Sequence, residues 1–430
     1  MLAAGGRPGG LVAQAPAGAA ANRDSANRDS ANRDSANRDS ANRDSANRDS
    51  ANRDSANRDS ANRDPANRDP ARAEIVTRDV HNFWRAYDAA QQAPDSAGRV
   101  AAYRDLYVRA GSPGLADWTR SRLADQGAVV KALVARGWTM DRIGRAWKAP
   151  ATDSARVALF AEADPLFQQS GAEQLAAAVT RRPHFYAGIR RGTLALDSLG
   201  GAVDEIRGAY RGLAALYPDA VFPPVYFLVG RLTSGGTTGP SGILLGAEMR
   251  GADPATPRDE LTEWERGAVS NARGIPHLVA HELMHVEQQA ARRADPRAAT
   301  ADRRTLLAQS LDEGCADLLA DLVTTGPAGT PRAVASVVTA SDGEGTRTYG
   351  LTHERELWNE FRPVMLRSDA KGWLYEGDAA KGRPADLGYF VGARICRAYY
   401  ERAEDKARAV RDILVMADPK AFAEASGYAP

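Results

Sequence analysis

The chain has 430 residues, of which 43% are hydrophobic, and its 56 basic and 55 acidic residues leave a formal charge of +1. That balance lacks the basic bias by which proteins hold nucleic acid or an anionic membrane surface. No apolar run is long enough for a transmembrane helix, and two cysteines supply neither a disulfide framework nor a Cys-x-x-Cys metal site.

Residues 1–20 are rich in Gly, Ala and Pro. Leu11-Val12-Ala13 and the Ala-rich stretch from Ala15 to Ala20 resemble the end of an export signal, without its positive n-region or its continuous apolar h-region. Residues 21–70 are ten successive pentapeptides, eight of Ala-Asn-Arg-Asp-Ser and two of Ala-Asn-Arg-Asp-Pro. They have no apolar face at any period, so this segment is expected to be disordered and to act as a spacer at most. Each unit carries one Arg and one Asp, and the rest of the chain keeps the same +1 balance. About 360 residues remain, enough for a large core as one catalytic domain or two closely packed lobes.

From 71 to 220 the pattern is helical. Phe83, Trp84 and Tyr87, then Tyr103, Leu106 and Tyr107, then Leu115, Trp118 and Leu123 recur at spacings of three and four. They read as the core of an α-helical N-terminal lobe packed onto residues 221–430. Two short apolar runs, 225–230 and 242–246, are bounded by turn residues and flank the Gly-rich stretch from Ser234 to Pro240. They predict two strands joined by a flexible loop.

The segment from Ile275 to Gln289 predicts a buried helix, because Leu278, Val279, Leu283, Met284 and Val286 make it apolar around most of its girth. Pro276 suits its first turn. Within it stands His281-Glu282-Leu283-Met284-His285, a His-Glu-x-x-His pattern. Residues four apart share a helix face, so His281 and His285 can close on one small cation, with Glu282 beside them as a base. His277, one turn earlier on the same face, offers either a further ligand or a capping or supporting group at the helix start.

Leu307, Leu311, Leu318 and Leu319 predict a second buried helix over 306–322. Catalytic zinc takes three protein ligands and keeps one open position. Glu313 is the candidate third ligand, and Asp317, one turn on, can accept the outer N–H of a ligand histidine and fix its tautomer. Asp312 is the alternative to Glu313, but it points about 100° away from that face. Cys315 lies about 200° from Glu313 and reads as a small core residue; a disulfide with Cys396 is compatible with the sequence. Downstream, Tyr389, His353 and Tyr349 are candidates to stabilise an oxyanion, with Tyr389 favoured and His353 placed at a charged helix start. Residues 386–403 predict an amphipathic helix in which Gly388 and Gly392 permit close packing.

The arrangement of His281, Glu282, His285, Glu313 and Asp317 resembles that of the gluzincins, the thermolysin-like metallopeptidases. More narrowly, the blocks 225–248, 275–289, 306–322 and 383–400 resemble a bacterial family of zinc-dependent proteases of undetermined physiological role. The resemblance spans about half the chain. The 27 residues between His285 and Glu313 are more than in thermolysin itself, so its subsite map does not transfer. The resemblance implies a mainly α-helical α+β fold with a small β-sheet or hairpin beside the His-Glu-x-x-His helix. It implies one Zn2+ per chain on His281, His285 and Glu313, with Glu282 as general base and Asp317 supporting a ligand. It further implies hydrolysis of a peptide or protein held along a strand edge, and a place in the cell envelope. The alternatives are a non-catalytic zinc-containing scaffold, against which the intact Glu282 argues, and a non-peptide amide hydrolase. Oligomeric state and substrate preference have no signal here.

Overall fold

The computed structural model describes residues 68–198, 202–324, 343–378 and 381–430. The expectations for residues 1–67 lie outside them. Helices dominate, and one four-stranded sheet stands among them. The strands are β1 (Ile75–Val76), β2 (Val225–Leu228), β3 (Gly236–Gly239) and β4 (Gly242–Gly246). The helices that position the site are α1 (Arg78–Gln91), α2 (Pro113–Trp118), α3 (Ala202–Leu216), α4 (Ile275–Ala294), α5 (Leu306–Val323), α6 (Leu387–Arg402) and α7 (Lys406–Val415).

The sheet corrects the expected hairpin. Its order is β1-β2-β4-β3. The two apolar runs, β2 and β4, are parallel neighbours, with Val225 opposite Ile243 and Leu228 opposite Gly246. The stretch expected to be a flexible loop contains β3, which pairs antiparallel with β4. The cause is tertiary. Asp117, at the end of α2, accepts the Ser241 N–H at 2.8 Å and so fixes the turn between β3 and β4 from 124 residues away. Arg122 likewise holds the Thr237 hydroxyl at 2.9 Å. Burial of every residue in β2 and β4 fits their continuous apolar sequence, which is usual for parallel strands covered on both faces. β1 is a two-residue strand within the span read as helical, and it pairs with β2.

Buried side chains from Ala73 to Phe422 form one continuous cluster. Phe83, Trp84, Tyr103, Tyr107, Leu115, Trp118 and Leu123 all belong to it, while Tyr87 and Leu106 pack half-buried at its margin. A second, smaller cluster runs from Ala124 to Phe167. α4 is buried nearly all round, as its sequence requires. It starts at Pro276 in the first turn, and Arg292 and Arg293 end it where cations meet the negative pole of the helix. α5 begins at Thr305, whose hydroxyl accepts the Ala308 N–H at 3.2 Å.

α5 and α6 pack backbone to backbone. A Cβ at Gly392 would lie 1.8 Å from the Ser310 carbonyl oxygen, and one at Gly314 would lie 2.2 Å from the Ala393 nitrogen. A disulfide between Cys315 and Cys396 joins the same two helices, with Cα atoms 5.5 Å apart. Cys315 is therefore a buried, bonded residue on the face of α5 away from the histidines. Glu287, on the face of α4 toward α3, is fully buried. It accepts the Val221 N–H at 2.8 Å, and burial pushes its carboxyl up to about 8.

Three outcomes are expected. Gly392→Ala should destabilise the fold by about 2–4 kcal/mol, since the blocking atom is backbone and cannot step aside. Gly144→Ala, where a Cβ meets nothing within 4 Å, should instead stabilise by about 0.5–1 kcal/mol in urea titration. The raised Glu287 carboxyl means that the folded state holds a proton that the unfolded state releases. Its contribution is complete below about pH 4.5 and is lost as pH rises through about 8. Denaturation midpoints between pH 5 and 8 should fall less steeply for Glu287→Gln than for the parent chain.

Candidate metal centre

α4 and α5 run antiparallel, and their facing side chains meet turn by turn. His285 Nε2 lies 3.2 Å from Glu313 Oε2, His281 Nδ1 lies 2.9 Å from Asp317 Oδ1, and His277 Nε2 lies 3.0 Å from Asp321 Oδ1. Each step of four forward along α4 is matched by a step of four back along α5, which the 3.6-residue turn allows in both helices. The structure thus brings His281, His285 and Glu313 together. His277 is buried one turn away on its own aspartate, which Arg397 also approaches at 3.7 Å. It lies outside the cluster.

The outer hydrogen bonds decide the tautomers. Asp317 is an acceptor, so His281 carries its proton on Nδ1. Gln288 donates its amide to the Asp312 carbonyl at 2.7 Å, which turns its oxygen toward His285 Nδ1 at 3.0 Å. His285 therefore also donates from Nδ1. Both Nε2 atoms then present lone pairs, 3.0 Å from each other and 3.5 and 3.2 Å from Glu313 Oε2. Three electron pairs converging at low exposure repel one another unless positive charge sits between them. Ligand atoms about 2.0–2.1 Å from a tetrahedral cation stand about 3.3 Å apart, which matches this spacing and a donor set of two imidazoles and one carboxylate. Among the described residues, this is the one group of three such side chains with the spacing to hold a metal.

The same strain appears in the proton affinities. Burial lowers that of His281, but the hydrogen bonds and charges of Asp317 and Glu313 outweigh it and raise the ring to about 10. Burial raises Glu313, yet the two histidines hold it well below the usual carboxylate range. The centre demands positive charge from either metal or protons.

Glu282 is 8% exposed and stands beside the cluster, outside the ligand set. Burial raises its carboxyl, opposed by the histidines and Arg122. A Cβ at Gly236 would come within 3.0 Å of Glu282 Oε1, so β3 lies directly on this carboxylate. Below β3, buried Arg250 donates to Ser270 Oγ at 2.7 Å and carries its charge near Glu282 and Glu248.

Tyr389, in the first turn of α6, sets its ring edge-on to Tyr375 at 6.2 Å and 88°. The Tyr375 hydroxyl stands 3.5 Å from Glu313 Oε1. It gets there through a left-handed backbone, φ 64°, held by a 2.7 Å bond from its N–H to Asp386 Oδ1. Such a backbone is costly for a tyrosine and persists only where the surroundings impose it. His353 stacks on Tyr349 at 4.2 Å and faces its carbonyl oxygen at 2.9 Å, at the start of helix Glu354–Phe361. Asp312 turns away from the cluster, as expected, to meet Arg292 and Arg303.

Sequence reasoning missed Gln288 and Tyr375. Gln288 had a signal, a polar residue three positions after His285 on a buried helix. Tyr375 had none, because it lies in an irregular loop. Set against protein-family models, curated proteins and solved structures, the chain matches none.

If Asp317 fixes the His281 tautomer, Asp317→Ala should weaken divalent-cation binding about 10- to 100-fold by calorimetric titration. The circular dichroism of the folded chain should be retained.

Proposed function

We propose that the chain is a gluzincin-type zinc metallopeptidase. The observation that carries this reading is the convergence of His281, His285 and Glu313 lone pairs beside a buried glutamate that is not itself a ligand. A purely structural zinc site closes with four protein ligands; among the described residues there are three here, with a base and an edge strand alongside.

Zinc bound there would polarise a substrate carbonyl and make water acidic enough to attack at neutral pH. Glu282 takes the proton of the attacking water. Its raised affinity, due to burial, suits it to hold that proton and pass it to the departing amide nitrogen. Asp317 and Gln288 keep both ligand rings in the tautomer with Nε2 turned inward. Tyr375 is placed to donate its hydroxyl to the carbonyl oxygen as that atom gains charge. Tyr389 buttresses the Tyr375 ring. Among the described residues β3 is one edge of the sheet, so a peptide can add to it as a further strand, with main-chain bonds that demand little of its side chains.

The test is hydrolysis of an unstructured peptide by the zinc-loaded chain. Glu282→Gln should keep its metal and lose about 10²- to 10⁴-fold in rate. Tyr375→Phe should lose about 10²- to 10³-fold in kcat with little change in KM, and Tyr389→Phe should lose far less. Full activity in Glu282→Gln would overturn the mechanism.

A further inference from the structure

Glu282 follows the ligand candidate His281 on α4, yet among the described residues its carboxylate accepts no hydrogen bond and makes no ion pair. A carboxylate so buried and unbonded turns toward the nearest positive charge. One such charge is the cation that the centre would hold. Carboxylate oxygen is itself a zinc ligand, and a fourth protein ligand would close the site.

The other charge is Arg250, just past the short helical turn Ala247–Met249 that follows β4. Two glycines at the start of β3 bring it close. A Cβ at Gly235 would lie 2.8 Å from Arg250 Nη2, and one at Gly236 would lie 3.0 Å from Glu282 Oε1. The guanidinium and the carboxylate thus rest against successive residues, in space that side chains would otherwise fill. Arg250 is 5% exposed, and its Nε has no partner. Its hydrogen bond goes to the neutral Ser270 hydroxyl at 2.7 Å. Ser270 is fixed in turn, donating its N–H to the Met249 carbonyl at 2.8 Å and accepting the Ala252 N–H at 3.2 Å. Among the described residues Arg250 forms no ion pair. A buried cation in that state costs stability, so packing alone does not account for it. Burial lowers Arg250 to about 10, which leaves it charged at neutral pH, and Glu282 then Glu248 oppose that fall. Glu248 already accepts the Gly230 and Leu232 N–H groups; Glu282 has no such bonds.

Resting on the peptidase reading, we propose that Arg250 is a positioning residue, whose charge draws the Glu282 carboxylate onto the entry of β3 and keeps it out of the ligand set. Held there, Glu282 faces a peptide laid along β3 and leaves the centre with three protein ligands. Arg122 adds its charge to Glu282 from the side of Thr237, so loss of Arg250 weakens the hold without abolishing it.

Cobalt(II) loaded into the full chain in place of zinc reports the ligand set by its visible absorption, without any substrate. Arg250→Met should shift that spectrum, because Glu282 joins the ligands. The shift should vanish when Arg250→Met is made in the Glu282→Gln background, and Arg250→Lys should keep the parent spectrum. With zinc and an unstructured peptide, Arg250→Met should lose about 10- to 100-fold in kcat with little change in KM. It should lose nothing further in the Glu282→Gln background. A general loss of structure would instead move spectrum and rate in both backgrounds alike. Ser270→Ala, which frees one end of the guanidinium, should give the same shift in smaller measure. It decides the matter if Arg250→Met does not fold by circular dichroism. An unshifted spectrum in the folded variant, or a shift that persists in the Glu282→Gln background, overturns the proposal, as does a parent chain that takes up no cobalt. If the parent takes up cobalt but hydrolyses no peptide, the peptidase reading fails on that result, and the spectra alone judge Arg250.

Discussion

Three lone pairs pressed together between two antiparallel helices are the constraint around which this region is organised. Two imidazoles and a carboxylate within about 3.5 Å of one another repel, so the fold must both force the approach and receive the charge that relieves it. The forcing comes from either side. Asp317 and Gln288 turn the rings inward, and α6 backs α5 so closely that Gly314 and Gly392 leave no room for a methyl group. The disulfide beside them ties the same pair. A chain that holds unfavourable charge in place must have stability in reserve. The continuous core running through helices and sheet is where that reserve resides.

The sheet contributes position more than bulk. β2 and β4 are buried throughout and serve as a wall. β3 is short and glycine-rich at both ends, and it rests on Glu282 because Gly236 has no side chain to keep the carboxylate away. Buried groups hold the chain just before it. The Tyr107 hydroxyl bonds both the N–H and the carbonyl of Val229, the Tyr186 hydroxyl bonds the Gly230 carbonyl, and Glu248 accepts from Gly230 and Leu232. Aromatic residues that sequence periodicity marks only as core, Tyr107 among them, thereby also locate the strand above the candidate base.

Legibility followed the range of the interaction. His281 with His285, and Glu313 with Asp317, are readable because helix periodicity alone puts residues four apart on one face. The turning away of Asp312 and Cys315 follows from the same rotation. The close helix contact at Gly388 and Gly392 could be anticipated from the absent side chains, though not its partner Ser310. What stayed hidden depends on distant groups. The pairing of β3 relies on Asp117 and Arg122, so a Gly-Thr-Thr-Gly run with weak strand character passed for a loop. Tyr375 reaches Glu313 only through a left-handed backbone set by Asp386, and no local pattern reports that. Tyr389, the more visible candidate on a regular helix, sets its ring edge-on to that of Tyr375.

The chemistry of this region depends on the centre holding a cation. Its most direct test is elemental analysis of the full chain purified without chelator, alongside His285→Ala. About one zinc per parent chain, lost in the variant while its circular dichroism persists, is the expected result. A folded parent chain that carries no metal and takes up none from micromolar zinc, or a variant that retains it, would contradict the account.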